Sequence, residues 1–229
     1  MSEPDAVLHT FQIGKKRMHA YDQAGSEAAL IIARELMLDS YGLRRMEFEA
    51  DDCVLDIGGH IGLFAMALAM RFPEIRIYSY EPHPPNFELF ARNLEMNGID
   101  NVRLYPEGVS GDGRAIAMAS NPTNSGGATA HSLTLDHARV SGIPTMTIDR
   151  MLERDGIARC KLLKIDCEGA EYEALGATQC WGRVERMCGE FHSNALLKRR
   201  GHSPDGLLGY CKARLGADRV TASFCEMSE

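Results

Sequence analysis

The chain has 229 residues, enough for one domain with a core that needs no disulfide or metal staples. A hydrophobic content of 45% and a charged content of 25% are ordinary for a globular protein, and the formal charge of −7 argues against nonspecific nucleic-acid binding, which needs a basic footprint. Met1-Ser-Glu-Pro-Asp5 holds no basic segment leading into an apolar signal core, and no apolar run approaches the roughly 20 residues of a membrane span, so a cytoplasmic protein with no membrane partner is expected.

Val7 to Ile13 alternates imperfectly between apolar and polar and reads as a short strand before the basic Lys15-Lys16-Arg17. Ser26 can cap a helix running to about Ser40, with Leu30, Ala33 and Met37 as its apolar stripe and Gly42 at its end. From its position, this N-terminal piece is expected to cover the ligand side of a sheet, as a lid or a dimer surface. Cys53 to Ile57 is an apolar run that reads as a buried strand, and it breaks into glycines at Gly58, Gly59 and Gly62. Leu63 to Met70 are helix formers, stopped before Pro73. A strand, glycine turn and helix in succession let the backbone approach a ligand closely, and the helix start offers free N–H groups.

Ile75 to Tyr80 forms a second strand and delivers Glu81 at its end. A helix from about Pro84 to Asn97 follows, with its prolines in the first turn, Phe87, Phe90 and Leu94 on its buried face, and Gly98 at its end. His83, just before it, is expected at the surface. Asn101 to Tyr105 is the third strand, and Glu107-Gly-Val-Ser110 opens the next connection.

Residues 111–142 break this alternation. Ile116 to Met118 reads as a short strand, Asn121 to Gly127 as a turn-rich loop, and His131 to Val140 fits no single state. A long irregular insertion in a compact domain usually serves function. Ile143 to Asp149 reads as a further strand leading into a short helix near Arg150–Arg154. Cys160 to Asp166 is a strongly apolar strand that ends in charge, followed by a helix closed by Gly176. Val184 to Gly189 is the next parallel strand, ending at Glu190-Phe-His192, and the tail holds a helix near Pro204–Leu215 and a strand near Arg219–Phe224. The seven cysteines are odd in number and form no Cys-x-x-Cys pair, which predicts reduced, mostly buried thiols and no zinc site.

Strands alternating with helices imply an α/β fold with a doubly wound, mostly parallel sheet. Ligands of such sheets bind outside the carboxyl ends of the strands, at the topological switch. The polar clusters at 56–62, 81, 107–110, 166–168 and 190–192 all fall at strand carboxyl ends, so the sequence predicts a binding site there.

Val-Leu-Asp-Ile-Gly-Gly-His-Ile-Gly at 54–62, Tyr80-Glu-Pro82 with Asn93 and Asn97 downstream, Thr147-Ile-Asp149, Lys164-Ile-Asp-Cys-Glu-Gly-Ala-Glu171 and Glu190-x-His192 resemble FkbM-type S-adenosylmethionine-dependent methyltransferases. The likeness covers roughly residues 50–192, and its most specific piece is the 164–171 element. Residues 1–45 read as an N-terminal strand and helix extension and 46–229 as the methyltransferase domain with a substrate-loop insertion at 111–146, and the likeness implies a Rossmann-like class I methyltransferase fold there. It implies S-adenosylmethionine as cofactor and S-adenosylhomocysteine as product. In one respect the chain departs from that pattern: class I enzymes usually finish with an antiparallel strand pair, and only one strand is placed after residue 216.

The rival for the glycine turn is a dinucleotide fingerprint, Gly-x-Gly-x-x-Gly, aimed at a pyrophosphate. Here the order is Gly58-Gly59-x-x-Gly62, and Asp56 puts a carboxylate beside the turn that repels pyrophosphate and suits the ammonium of a methionine moiety. Glu81 suits both ribose hydroxyls. Glu107, Gly108 and Ser110 are expected along the adenine, and His60 at the methionine carboxylate or as a helix cap. Lys164, Asp166 and Glu168 repeat every second residue and so face one way, toward a polar pocket; the alternative is that Asp166 caps the next helix.

Glu190 and His192 repeat the pattern on the neighbouring strand. With Asp166 they make either a general-base cluster or a divalent-cation site, and base assistance is favoured, so no metal is assigned. In that reading His192 takes the acceptor's proton, Glu190 or Asp166 orients its ring, and Lys164 binds an anionic group or lowers the acceptor's pKa. Asp166 serves the cofactor as well. The predicted activity is O-methylation of a hydroxyl on a small molecule, sugar or secondary metabolite, with nitrogen left open by the residues themselves. The alternatives are a non-catalytic nucleotide-binding domain, which has no use for the polar ends of the last two strands, and a dinucleotide-dependent oxidoreductase.

Overall fold

Cys53–Ile57, apolar but for Asp56, lies inside a six-stranded sheet in a computed structural model that describes residues 6–121, 124–129 and 139–227. In chain order, a hairpin of β1 (Ala6–Ile13) and β2 (Lys16–Gln23) and helix α1 (Ala28–Leu38) precede that strand, β3. Then come α2 (Leu63–Arg71), β4 (Arg76–Tyr80), α3 (Pro84–Met96), β5 (Val102–Tyr105) and the short β6 (Gly108–Val109). The insertion holds β7 (Ile116–Asn121), β8 (Asn124–Thr129) and β9 (Arg139–Ile143), and it ends at β10 (Thr145–Met146). The second half runs through α4 (Ile148–Arg154), β11 (Cys160–Ile165), α5 (Glu171–Ala177), β12 (Val184–Ser193), α6 (Ala195–Arg199), α7 (Pro204–Leu215) and β13 (Val220–Glu226).

The main sheet has the order β13-β12-β11-β3-β4-β5, and each neighbouring pair is parallel. The chain therefore builds outward from β3 in one direction and, after the insertion, outward from β11 in the other. The switch lies between β3 and β11, where a Rossmann-like sheet opens its crevice. Leu55, Ile57, Tyr80, Leu163 and Ile165 face one core with α4, α5 and α7; Val54, Ile77 and Leu162 face the other with α2 and α3. Burial on both faces is why these strands read as near-continuous apolar runs.

The N-terminal hairpin is fastened to α3 by two asparagines. Asn93 Oδ1 accepts from Tyr21 N at 2.7 Å while its Nδ2 donates to Tyr21 O and to Ile61 O. Asn97 does the same for His19 N and O, at 2.9 and 2.6 Å. Side-chain amides thus satisfy the backbone of β2 where a further strand would otherwise pair.

Several sequence expectations change. The α1 stripe of Leu30 and Met37 faces solvent, with 51% and 74% of each residue exposed, and Ala28 and Ala29 are buried instead. Asp22, on β2, sets this orientation by accepting from Ala29 N at 3.0 Å, a cap from outside the helix. The helix ends at Leu38 with Asp39 in the left-handed region, ahead of Gly42. In the expected loop at Asn121–Gly127, Asn121 pairs with Asn124, and Asn124 onward is the strand β8, antiparallel to β7; residues 122–123 lie outside the described residues. Of His131 to Val140, residues 131–138 lie outside the described residues and the last two open β9. Ile143–Asp149 is not one strand: β10 pairs in parallel with β6, and Thr147 caps α4 by accepting from Arg150 N. His83 is buried, and Phe87 is only half-buried beside the fully buried Phe90. The last strand, β13, is parallel to β12 because α7 carries the chain back across the sheet, as a crossover must. Among the described residues no helix is long and apolar enough to cross a membrane.

Candidate functional site

Strand register assembles the base of the site. Asp56 sits opposite Ser79 on one side and Lys164 on the other, so three polar side chains form a row on the α2 face of the sheet. Ser79 Oγ donates to Asp56 Oδ2 at 2.9 Å, and Lys164 Nζ lies 3.3 Å from Asp56 Oδ1. The ammonium also donates to Gly58 O at 2.5 Å. Asp56 is 0% and Lys164 3% exposed. Burial pulls the lysine's pKa down, but Asp56 and Asp166 outweigh it and hold the pKa above its ordinary value. Asp56 and Lys164 therefore lie beneath the turn and not in the cavity. They brace the glycine turn, and the ligand roles expected of them have no geometric support.

The glycines answer to packing. Gly58 has φ +79, and a Cβ there would fall 1.7 Å from Asp166 O, inside the neighbouring strand end. Gly62 has φ +94 and starts α2; its Cβ would meet the Phe90 ring at 2.2 Å. The turn and α3 thus interlock through a missing side chain. Gly62→Ala should cost about 3 kcal/mol by strain and overpacking, read by urea unfolding, and adding Phe90→Leu should recover part of it.

Above this base a cavity of about 230 Å³ opens at the carboxyl ends of the strands. Gly58, His60 and Glu81 line one end, and Gly108 and Val109 flank them. Asp166, Glu168 and Glu190 line the other end. Ala28, Ile31, Ile32 and Glu35 of α1 also line it, so the N-terminal segment covers the ligand side of the sheet. Among the described residues no lysine or arginine does so.

Glu81 accepts from His60 N through Oε2 at 2.7 Å and from His83 N through Oε1 at 2.8 Å. Each oxygen keeps a second lone pair for a ligand hydroxyl. Burial pushes its pKa up to about 7 against those bonds. His60 stands at φ +51, and burial pulls its pKa down to about 4, so it is neutral at working pH. Two expected adenine residues are engaged elsewhere. Glu107 is ion-paired with Arg154 at 2.5 Å, and Ser110 Oγ is buried against Thr145 Oγ1 at 2.6 Å while accepting from Gly113 N. Of that trio only Gly108 reaches the cavity.

At the other end, β12 runs on to Ser193, which keeps Glu190 and His192 on one side of the strand. His192 is 1% exposed, behind the lining carboxylates. Its Nδ1 lies 2.8 Å from Glu171 Oε1, and its Nε2 lies 3.8 Å from Asp166, 3.6 Å from Glu168 and 3.5 Å from Glu190. Burial works against the charged ring, but Glu171 and Glu190 outweigh it and raise its pKa far above the ordinary range. The ring is thus tied to Glu171 through Nδ1, and Nε2 is the nitrogen that faces the lining carboxylates. Burial pushes Glu168 up to about 8 and raises Asp166, while the bond to His192 lowers Glu190. Glu171 is completely buried and also accepts from Cys167 N and Gly169 N, both at 2.9 Å, so it holds the turn that presents Asp166 and Glu168.

Sequence reasoning missed three residues here. Glu171 stands in the 164–171 motif, yet nothing in its spacing points at His192 across the sheet. Ser79 looks like a neutral strand residue. Glu35, whose Oε2 accepts from Tyr41 Oη at 2.7 Å, lies on a helix whose apolar stripe pointed the wrong way.

The sequence profile of the Methyltransferase FkbM domain matches residues 56–199 of this chain. Methyltransferase 1 of Beauveria bassiana is 26% identical over 153 residues, 56% of this chain and 59% of that protein, so the chain spans under two thirds of that relative. Methyltransferase sdnD of Sordaria araneosa is 24% identical over 200 residues, 74% of this chain and 76% of that one. The 31-O-demethyl-FK506 methyltransferase FkbM of Streptomyces tacrolimicus is 26% identical over 218 residues, 81% and 82%.

Proposed function

The chain belongs to the FkbM methyltransferase family, and on that footing we propose that it transfers a methyl group from S-adenosylmethionine to a hydroxyl of a small molecule, a sugar or a secondary metabolite. The observation that carries this reading is the cavity lining: carboxylates at both ends with no lysine or arginine among the described residues. That lining suits a sulfonium and repels the pyrophosphate of a dinucleotide. The donor set fits the rest of the cofactor: Glu81 has lone pairs for two ribose hydroxyls, and Pro82, Val109 and Ala170 offer apolar surface for a base. The FK506-type relative, an O-demethyl substrate in its name, favours oxygen as acceptor.

When bound, S-adenosylmethionine supplies a methyl on a sulfonium, and the acceptor oxygen takes it as the carbon–sulfur bond breaks and the bonding pair stays on sulfur. The chain's own residues position the acceptor, keep water out and remove one proton. Asp166, Glu168 and Glu190 face the cavity and are the groups placed to take that proton. Burial raises the proton affinity of Asp166 and Glu168, which makes them better acceptors than ordinary carboxylates. His192 acts through them, as a positioning residue. The apolar Ile31 and Ile32 of α1 shield the reacting atoms.

Calorimetric titration tests the reading. S-adenosylhomocysteine should bind and NAD should not; binding of NAD, or of neither, overturns it. Glu81→Gln should weaken S-adenosylhomocysteine by about 10–100-fold, the worth of charge-assisted hydrogen bonds to the ribose. The ribose needs the ionised carboxylate, and Glu81 sits near 7, so wild-type affinity should fall as pH drops below about 7. In Glu81→Gln that dependence should vanish.

A further inference from the structure

We propose that Asp166, Glu168, Glu190 and Nε2 of His192 form a divalent-metal site at the carboxylate end of the cavity, with Mn²⁺ as the best-matched ion. The sequence favoured a base over a metal; the geometry reverses that order. Nε2 stands 3.5, 3.6 and 3.8 Å from one oxygen each of Glu190, Glu168 and Asp166. The ligand atoms of Asp166, Glu168 and His192 all lie within 4.8 Å of one another. Two donors on one ion at about 2.1 Å are about 3.0–3.5 Å apart, so each Nε2–oxygen separation needs to close by at most about 0.8 Å. Nδ1 is taken by Glu171 at 2.8 Å, which leaves Nε2 as the ring nitrogen that faces all three oxygens.

Two further observations point the same way. Glu171 is completely buried, fixed by two backbone N–H groups, and holds Nδ1 so that the other ring nitrogen faces the hollow. This is the outer partner that orients a metal-ligating histidine. The charge balance is also uneven. Among the described residues, Asp56, Asp166, Glu171 and Glu190 meet two cations, Lys164 and His192, and Lys164 is closest to Asp56. A dication cancels the excess that protons on buried carboxylates would otherwise have to relieve. Carboxylate oxygens with a single imidazole suit Mn²⁺ better than Mg²⁺, which prefers oxygen and water alone. The ion would hold an acceptor hydroxyl and lower its pKa, taking over the part that the free carboxylates play without it. That use rests on the proposed methyl transfer; the binding does not.

The test is titration of chelator-stripped protein with Mn²⁺, reading free ion from its paramagnetic resonance signal. One Mn²⁺ should bind per chain. Asp166→Asn and Glu190→Gln should each weaken it at least about tenfold, while Asp112→Asn, exposed on the far side of Arg114, should leave it unchanged. Thermal unfolding confirms that each variant is folded. The proposal is overturned if the wild-type protein shows no saturable binding, or if both variants bind as it does. S-adenosylhomocysteine titrated into the same samples separates the two readings, since its binding without Mn²⁺ sinks only the metal.

Discussion

Lys164→Met should cost the fold about 3–5 kcal/mol, the loss seen when one partner of a buried ion pair is removed. The ammonium is 3% exposed and touches Asp56 Oδ1 at 3.3 Å and Gly58 O at 2.5 Å. Without it a fully buried carboxylate keeps only the Ser79 hydroxyl, and the carbonyl that fixes the glycine turn loses its donor. Against a total stability of about 5–15 kcal/mol, this leaves a marginal protein. The double variant Asp56→Asn with Lys164→Met removes the stranded charge and should recover at least half of the loss in urea unfolding. The lysine's pKa is raised in the fold, so its contribution is fully present below the ordinary 10.5 and lost only as pH climbs through the folded value. The deficit should therefore be the same at pH 7 and pH 9. A deficit below about 1 kcal/mol would put the pair in the class of surface salt bridges and refute its bracing role.

Glu171→Ala should be nearly as damaging, at about 3–4 kcal/mol, because it strands three groups at once: Cys167 N, Gly169 N and His192 Nδ1. Glu171→Gln separates support from chemistry. The amide oxygen can keep one or two of the backbone bonds, so the fold should survive, but the charge that holds the imidazole is gone. Turnover should drop about 10–100-fold, with S-adenosylhomocysteine affinity nearly unchanged. The Nδ1–H proton resonance of His192 should move upfield at the same time, a shift that loss of stability alone does not produce. Unchanged turnover and an unmoved resonance would leave Glu171 as a structural residue only.

The elements legible in the sequence are those set by local physics. The turn at 58–62 announces itself because glycines follow an apolar run and precede helix formers, and α2 starts and ends where propensity puts it. The parallel sheet follows from the alternation of strands and helices. What escaped depends on partners far along the chain. Asp56 looked like a ligand contact because a carboxylate beside a glycine turn has two possible faces, and only the register with Ser79 and Lys164 shows which one it takes. Glu107 and Ser110 sit at the right strand end, yet Arg154 and Thr145 claim them. His192 carries the right chemistry for a base, and Glu171, at the start of the helix before its strand, holds its Nδ1. The apolar stripe of α1 gave the wrong face because Asp22, on the preceding strand, sets the helix orientation.

The helix that covers the cavity has a consequence for how the protein is made. Ala28–Leu38 is synthesised before any of the main sheet, and Leu30, Ile31, Met37 and Leu38 stay more than half exposed even when folding is complete. At about 5–20 residues per second, roughly 10–40 s pass between that helix and the last strand of the sheet. Throughout that time the nascent chain displays an adhesive segment with no floor to close on. Yield in a heterologous host should therefore depend on growth temperature and on chaperone supply more than the finished core would suggest, and polar replacements at Leu30 and Met37 are the natural places to relieve that burden.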